Sequence, residues 1–296
     1  MTKARRAMKE DMKLIDLVIE LVDARVPFSS RNPDIDELAA GKARMVLLNK
    51  ADLADEAKNA AWAALFESRG IHVAKIDARN KGSLKQVQAV IQEACKEKIE
   101  RDRRRGILNR PIRTMVVGIP NVGKSTFINS FAGKACAKTG NKPGVTKGNQ
   151  WIRLNKTLEL LDTPGILWPR FEDQTVGLHL ALIGSINDQI LNREELAWEL
   201  IGLLEQIYPG VLTERYGDAA EGETEDNSAW KELSKEEQNL KASRMLERIA
   251  KNRACLMKGG ELDLARASAL LLDEFRSGKL GKLSLEQAQD YTDRVK

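Results

Sequence analysis

The chain has 296 residues, 42% hydrophobic and 31% charged, with a formal net charge of +5. That length predicts one domain of about 150 to 180 residues and a smaller companion. No apolar run reaches the roughly 18 residues that cross a bilayer, and MTKARRAMKED at the N-terminus has no apolar signal core, so a cytoplasmic protein is expected. Cys95, Cys136 and Cys255 are widely spaced and odd in number, which argues against a disulfide framework or a zinc site and leaves core or indifferent thiols.

After a basic helical start, IDLVIELVDA (15–24) and ARMVLLN (43–49) read as apolar strands. DEAKNAAWAALFESRG (55–70) is a helix closed by Gly70, and IHVAKIDA (71–78) is a third strand. SLKQVQAVIQEACKEKIERDRR (83–104) sets Leu84, Val87, Val90, Ile91 and Ala94 on one helical face, predicting a helix that packs on a sheet. An arginine run then leads into the strand TMVVG (114–118), and WIRLN (151–155) with TLELLD (157–162) forms a hairpin. From about residue 177 onward only helices are predicted: GLHLALIGSI, REELAWELIGLLEQIY, SKEEQNLKASRMLERIAKNRACL, DLARASALLLDEFRSGKL and SLEQAQDYTDRV. The fold class is therefore α/β with a parallel-rich sheet, followed by a smaller all-α domain, with a boundary between residues 176 and 177.

Charge is unevenly placed. Residues 96–113 hold eight Lys/Arg against three Asp/Glu, residues 241–282 ten against five, and residues 213–237 nine acids against three bases. Two basic regions suit an anionic partner, with RNA foremost; solvated helix faces are the alternative. Aromatic residues are sparse at 5%, so contact with RNA would fall mainly on its backbone and shape.

Three short segments carry chemistry. GIPNVGKS places Gly118, Gly123, Lys124 and Ser125 in a phosphate-loop pattern between a strand and a helix. Backbone N–H groups converge on phosphates there, Lys124 reaches the β- and γ-phosphates, and Ser125 offers its hydroxyl to Mg²⁺. The nucleotide-binding run is Asn121, Val122, Gly123, Lys124, Ser125 and Thr126. In LELLDTPG, Asp162 at a strand tip is expected to hold Mg²⁺ through water, and the Gly165 N–H to meet the γ-phosphate; a simple turn is the alternative. Between them, KPGVTKG offers Thr146 as a second Mg²⁺ hydroxyl. With Lys124, Thr146 and Gly165 form the expected catalytic set. In VLLNKAD, the carboxylate of Asp52 can accept from both N1–H and the exocyclic amine of guanine, a donor pair that adenine lacks. Asn49 would brace the loop and face the other edge of the purine, and Lys50 would lay its stem along the ring. The base-reading segment precedes the phosphate loop, the reverse of the usual order.

These segments, with DARVPFSSRNP and RIAKNRACLMKGGELDLARASALLLDEFRSGKLGKLSLE, resemble the circularly permuted GTPases, most closely the ribosome biogenesis GTPase A family, over nearly the whole chain. The resemblance implies a permuted GTP-binding domain over residues 1–176 and a helical RNA- and ribosome-binding domain over 177–296. It implies GTP/GDP and Mg²⁺ as ligands, K⁺ bound by Asn121 beside the phosphates, and Ala78 of DAR (77–79) backing the guanine. Its implied partners are the immature large (50S) ribosomal subunit and its rRNA, with no membrane or DNA, and the chain is a monomer. The expected activity is slow GTP hydrolysis stimulated by the subunit, with GTP controlling rRNA binding and hydrolysis driving release late in assembly. Relatives carry a histidine implicated in hydrolysis just upstream of the position of Met1, and Ile166 stands where many GTPases have a water-orienting Gln. His72 and His179 read as structural. The alternatives are an RNA-binding assembly factor with a structural guanine nucleotide, or a permuted GTPase acting on tRNA or the small subunit.

Overall fold

Every residue of Leu17–Asp23 is buried, which makes this strand, β1, the centre of a sheet covered on both faces. In the computed structural model, residues 8–108, 110–133, 150–154, 156–162, 173–186, 192–217 and 230–295 are described. The other strands are β2 (Ala43–Asn49), β3 (His72–Ile76), β4 (Ile112–Gly118), β5 (Gln150–Arg153) and β6 (Leu158–Asp162), in the order β3-β2-β1-β4-β6-β5. All pairings are parallel except β5 with β6, the expected hairpin. The chain winds outward from β1 to β3 and then returns to the other side of β1 with β4. The switch point thus lies between β1 and β4, where open α/β sheets bind ligands at the carboxyl ends of the strands.

The described helices of this unit begin with a turn at residues 8–12 and α1 (Asp34–Leu38), then α2 (Glu56–Ser68), α3 (Lys81–Ala94), α4 (Lys96–Arg104) and α5 (Lys124–Ala132). On one face Trp62 and Phe66 of α2 pack with Val22, Val46 and Leu48. On the other, Met8, Met12 and Ile35 pack with Val18, Met115 and Leu161. The helix expected as one piece over 83–104 is two: Cys95, buried at φ −103° and ψ 11°, breaks it. Leu84, Val87 and Ile91 are buried as the period requires, with Val90 and Ala94 half-buried.

The chain divides into two compact units, one reaching Gly177 and including Glu286 onward, the other Leu178–Leu285. α6 (Gln174–Leu182) carries the chain from the first to the second. The second unit packs α7 (Arg193–Ile207), α9 (Lys235–Asn252) and α10 (Leu264–Ser277) on one another, with the short α8 (Val211–Tyr216) beside them. Leu196, Ala197, Leu200, Ile201 and Leu204 form the buried stripe of α7. The helix starts are written locally: Asn192 caps α7, Ser234 and Glu237 form a capping box on α9, and Asp263 accepts from Arg266 N on α10. Glu274 ties α10 to α8 through the Arg215 guanidinium and the Tyr216 hydroxyl.

The final segment departs from expectation. SLEQAQDYTDRV contributes no α-helix and no part of the helical unit beyond Leu285; it makes a short 3-10 turn, Ala288–Tyr291, packed on the sheet unit. Tyr291 stacks on Phe28 at 4.4 Å between centroids, and Arg294 lies over the same ring at 4.5 Å. Arg69 donates to Thr292 O at 2.6 Å. Buried Glu286 accepts from Phe28 N at 2.6 Å, Ser29 N at 3.1 Å and the Ser29 hydroxyl. Replacing Glu286 with Ala should orphan the two buried N–H groups at about 1–3 kcal/mol each. Urea denaturation should show that loss for Glu286→Ala, whereas exposed Glu67→Ala should change stability little.

Candidate functional site

The carboxyl ends of β1, β2 and β4 bring three sequence segments together. Asp23 pairs with Asn49 across β1 and β2, and Leu21 pairs with Gly118 across β1 and β4. The approach at Gly118 is close: a Cβ there would lie 2.9 Å from Leu21 O and 3.0 Å from Val122 Cγ2. Gly123, at φ +93°, has the Asn49 amide where its own Cβ would be, 2.5 Å away. Both positions therefore need glycine for space, and Gly123 also for its backbone angle. Asn121 takes φ 63°, and α5 starts at Lys124 with no side-chain cap on its N-terminal N–H groups. Such an end attracts anions through its donors and dipole. Lys124 is buried, while Ser125 and Thr126 are half-buried on the first turn.

Asn49 joins this loop to the base-reading segment. Its Nδ2 donates to Val122 O at 2.6 Å, and its Oδ1 accepts from Ala78 N at 3.0 Å. Both ends of the amide thus brace backbone, and its side chain is buried. Lys50, in the left-handed region at φ 59°, donates to Asn121 O at 3.1 Å and to Asp23 Oδ2 at 2.9 Å. Burial lowers the Lys50 ammonium from its ordinary value, with Asp23 opposing and Arg25 reinforcing that shift.

Asp52 sits in a 3-10 turn, Ala51–Leu53, just beyond. Its Oδ2 accepts from Arg79 Nη2 at 2.7 Å, and Arg79 Nε also reaches Asp77 Oδ1 at 2.9 Å. Asp52 Oδ1 is enclosed and has no hydrogen-bond partner among the described residues. An enclosed acceptor of this kind suits a ligand's donor, and a carboxylate oxygen already bonded to Arg79 retains a second lone pair for a neighbouring one. The glycine-shaped cradle and this carboxylate both fit a guanine nucleotide.

Sequence patterning did not assign a role to DARVPFSSRNP, which the structure shows to be a buried polar loop beneath the site. Burial opposes ionisation of Asp23, but Arg25 and Lys50 outweigh it and hold the carboxyl well below the usual range. Arg25 grips both Asp23 oxygens at 2.8 Å. Asp23 N donates to the Ser30 hydroxyl, and Glu20, also buried, holds Asn32 N at 2.8 Å and Arg31 Nε at 3.2 Å. Arg79 was likewise not singled out; the signal available was an arginine two residues after an aspartate at a strand end.

Other expected residues do not join this cluster. Asp162 ends β6, paired in register with Val116, but its side chain, Thr146 and Gly165 lie outside the described residues, as do Cys136 and Ile166. His72 opens β3 at the sheet end opposite the loops, and His179 is buried on α6 in the helical unit. Cys95 and Cys255 are buried free thiols.

Residues 113–203 match a family model described as 50S ribosome-binding GTPase. The chain is similar to ribosome biogenesis GTPase A of Bacillus cereus, 46% identical over 100% of this chain and 94% of that protein. It is similar also to the Thermotoga maritima protein of that name, 31% identical over 98% of this chain and 93% of the other. Among solved structures it resembles GNP-bound YlqF from T. maritima, with TM-score 0.63 and 26% identity over 97% of this chain and 99% of that one.

Replacing Asp23 with Asn leaves buried Arg25 and half-buried Lys50 without their anion, a loss of about 3–5 kcal/mol. Because the folded carboxyl titrates below its unfolded value of about 3.9, its stabilisation is complete above that pH and is lost as the pH falls toward the folded value. In urea denaturation across this range, the gap between wild type and Asp23→Asn should be constant near neutrality and narrow in acid. A gap independent of pH down to acid unfolding would refute the assignment.

Proposed function

The chain belongs to the ribosome biogenesis GTPase A family and has the circularly permuted GTPase fold, and from that premise we propose that it times assembly of the large ribosomal subunit. In this reading the GTP-bound protein docks on an immature 50S particle through rRNA, and hydrolysis to GDP and phosphate releases it. The observation that carries it is the single Asn49 amide binding the phosphate loop, the base-reading loop and the loop after β3 into one nucleotide cradle.

Asp52 reads guanine with Oδ1 and Oδ2, and Ala78 backs the base. Lys124 donates to the β- and γ-phosphate oxygens, joined by the N–H groups from Asn121 to Thr126. Ser125, Thr146 and Asp162, the last through water, supply the hard oxygen donors that Mg²⁺ prefers, and the ion when bound neutralises charge on the β- and γ-oxygens. Asn121 is the proposed K⁺ ligand. The Gly165 N–H stabilises the γ-phosphoryl as water adds to phosphorus and its bond to the GDP oxygen breaks. With Ile166 in place of a polar side chain after DTPG, slow hydrolysis by positioning alone, raised by the ribosomal particle, is the expected behaviour.

For rRNA, the helical unit offers Lys251, Arg253, Lys258 and Arg266, all exposed, with Arg248 half-buried. Arg253 lies over the Tyr216 ring at 5.1 Å. Beside them Leu256 pairs with Leu262 in a tight hairpin that leaves Leu256 and Met257 exposed. A factor whose guanine nucleotide is only structural is the second reading, favoured by the extent to which protein groups already brace the cradle.

Lys124→Ala should abolish tight nucleotide binding measured with a fluorescent GDP; normal affinity would refute the phosphate site. Wild type should sediment with large subunits under a non-hydrolysable GTP analogue and not under GDP, and the subunits should raise multiple-turnover hydrolysis more in K⁺ than in Na⁺. Equal sedimentation in both nucleotide states with no turnover would favour the structural-nucleotide reading.

A further inference from the structure

The nucleotide loops occupy the carboxyl ends of the strands. At the opposite end of β4 the same unit gathers arginines that the nucleotide cradle does not use. Arg101, Arg103, Arg104, Arg105 and Arg110 are exposed along the last turns of α4 and the link into β4. The acids beside them offset this cluster only in part: the Asp102 carboxyl, held low chiefly by its hydrogen bond from Lys98, also feels the charges of Arg110 and Arg101, and Glu159 reaches Arg113 at 3.6 Å. Asp102 turns inward, buried and bonded to Lys98 at 2.8 Å, and Lys98 is shared with Asp16 at 3.6 Å. Glu100 reaches only Arg104, at 3.9 Å. Among the described residues, no carboxylate lies within ion-pair distance of Arg101, Arg103, Arg105 or Arg110.

The patch also has an aromatic member. Trp151, on the edge strand β5, is 42% exposed, and the Arg113 guanidinium lies over its ring at 5.6 Å from the centroid. Arg153, two residues along and on the same face, is exposed. Arg113 is the second residue of β4, so this platform stands about 17 Å of strand away from the phosphate loop.

We propose that this end of the sheet unit, from Arg101 to Arg113 with Trp151, is a second RNA-docking surface, independent of the helical unit. The proposal rests on the reading of the chain as an rRNA-binding factor and adds a separate site to it. The chemistry favours RNA. All of the exposed cations named are arginines, whose planar forks take phosphate oxygens in pairs and stack on rings. Arg101 and Arg104 lie three apart on one helix, so their forks share a face and can follow one backbone. The exposed Trp151 ring gives an unpaired base a surface to stack on, with Arg113 as its cationic backing. A lipid surface would need a broad apolar face to insert. Here only Ile107 and Leu108 are exposed between the arginines, on a short link and not on a helix stripe.

The test uses the full chain and a fluorescent RNA hairpin with an unpaired loop, titrated by anisotropy over a range of KCl. A variant carrying Arg101→Gln, Arg103→Gln, Arg105→Gln and Arg110→Gln should bind at least about tenfold more weakly, and its log–log salt slope should shrink by about three, at roughly 0.7–0.9 for each phosphate no longer neutralised. Its affinity for fluorescent GDP should be unchanged, which shows that the fold is intact. Trp151→Ala should weaken binding to the looped hairpin and not to a blunt duplex. A second variant, Lys251→Gln with Lys258→Gln and Arg266→Gln, separates the two surfaces. If it loses RNA binding while the arginine variant binds as wild type, this inference fails and the proposed function stands. If wild type binds no RNA at all, both fail. Binding to phosphatidylserine vesicles that the arginine variant loses, with RNA binding intact, would assign the patch to a lipid surface and overturn the proposal.

Discussion

One carboxamide fixes the geometry on which the nucleotide cradle depends. Asn49 is the last residue of β2, so its side chain leaves a backbone already held by β1 and β3 and reaches two loops from a rigid base. Its donor end takes Val122 O and its acceptor end Ala78 N, partners 73 and 29 residues away in sequence. Few other side chains could make both bonds, because only a carboxamide of this length offers a donor and an acceptor in one plane. The glycine spacing agrees: Gly123 has no room for a Cβ because the amide is there. The phosphate loop and the base loop are therefore one structure, whatever their order along the chain.

Beneath that amide lies a more expensive arrangement. Asp23, Arg25, Glu20 and Arg31 are all buried, and taking four charges out of water costs more than their attractions alone return unless each remaining donor and acceptor is bonded. The loop meets that condition. Asp23 takes two bonds from the Arg25 guanidinium, one from the Arg25 backbone N–H and one from Lys50; Glu20 takes Asn32 N; the Ser30 hydroxyl takes Asp23 N and returns its own proton to Val26 O. A residue string such as DARVPFSSRNP, almost devoid of helix or strand period, is thus fixed by side chains bonding to backbone. Lys50 links this base to the Asn121 carbonyl.

The legible parts of the chain were those with short-range signals. Apolar runs ending in polar residues gave β1, β2 and β4 within two residues, and glycine spacing gave the phosphate loop. Helix starts in the second unit could be read from Asn192, Ser234 and Asp263. What escaped was set by partners far away. SLEQAQDYTDRV has a helical period, yet Ala288 and Val295 pack with Trp62 and Phe66, and Glu286 answers N–H groups 258 and 257 residues earlier. No local pattern encodes that. The Arg79 bridge from Asp77 to Asp52 is similar, since it depends on β3 lying beside β2. The break at Cys95 falls inside a good helical stripe and has no glycine or proline to announce it.

Permutation also decides what the helical unit hangs from. In this strand order the chain reaches β6 after the phosphate loop, and the connection that leaves the Asp162 end of β6 is the one that runs into α6. The chain leaves the helical unit at Leu285, and the next residue, Glu286, is bonded to the loop that follows β1. One covalent attachment of the helical unit therefore follows β6 in sequence, and the other begins at Glu286, which is bonded to the loop that follows β1. Arg294 and Asp173 join the two attachments at 3.0 Å within the sheet unit. An unpermuted order would place a chain terminus near β4 and leave the loop after β6 internal to the sheet domain. Cutting and rejoining the sheet leaves the cradle intact because its bonds depend on which strands are neighbours. The same rearrangement changes which loop the following domain inherits as its tether.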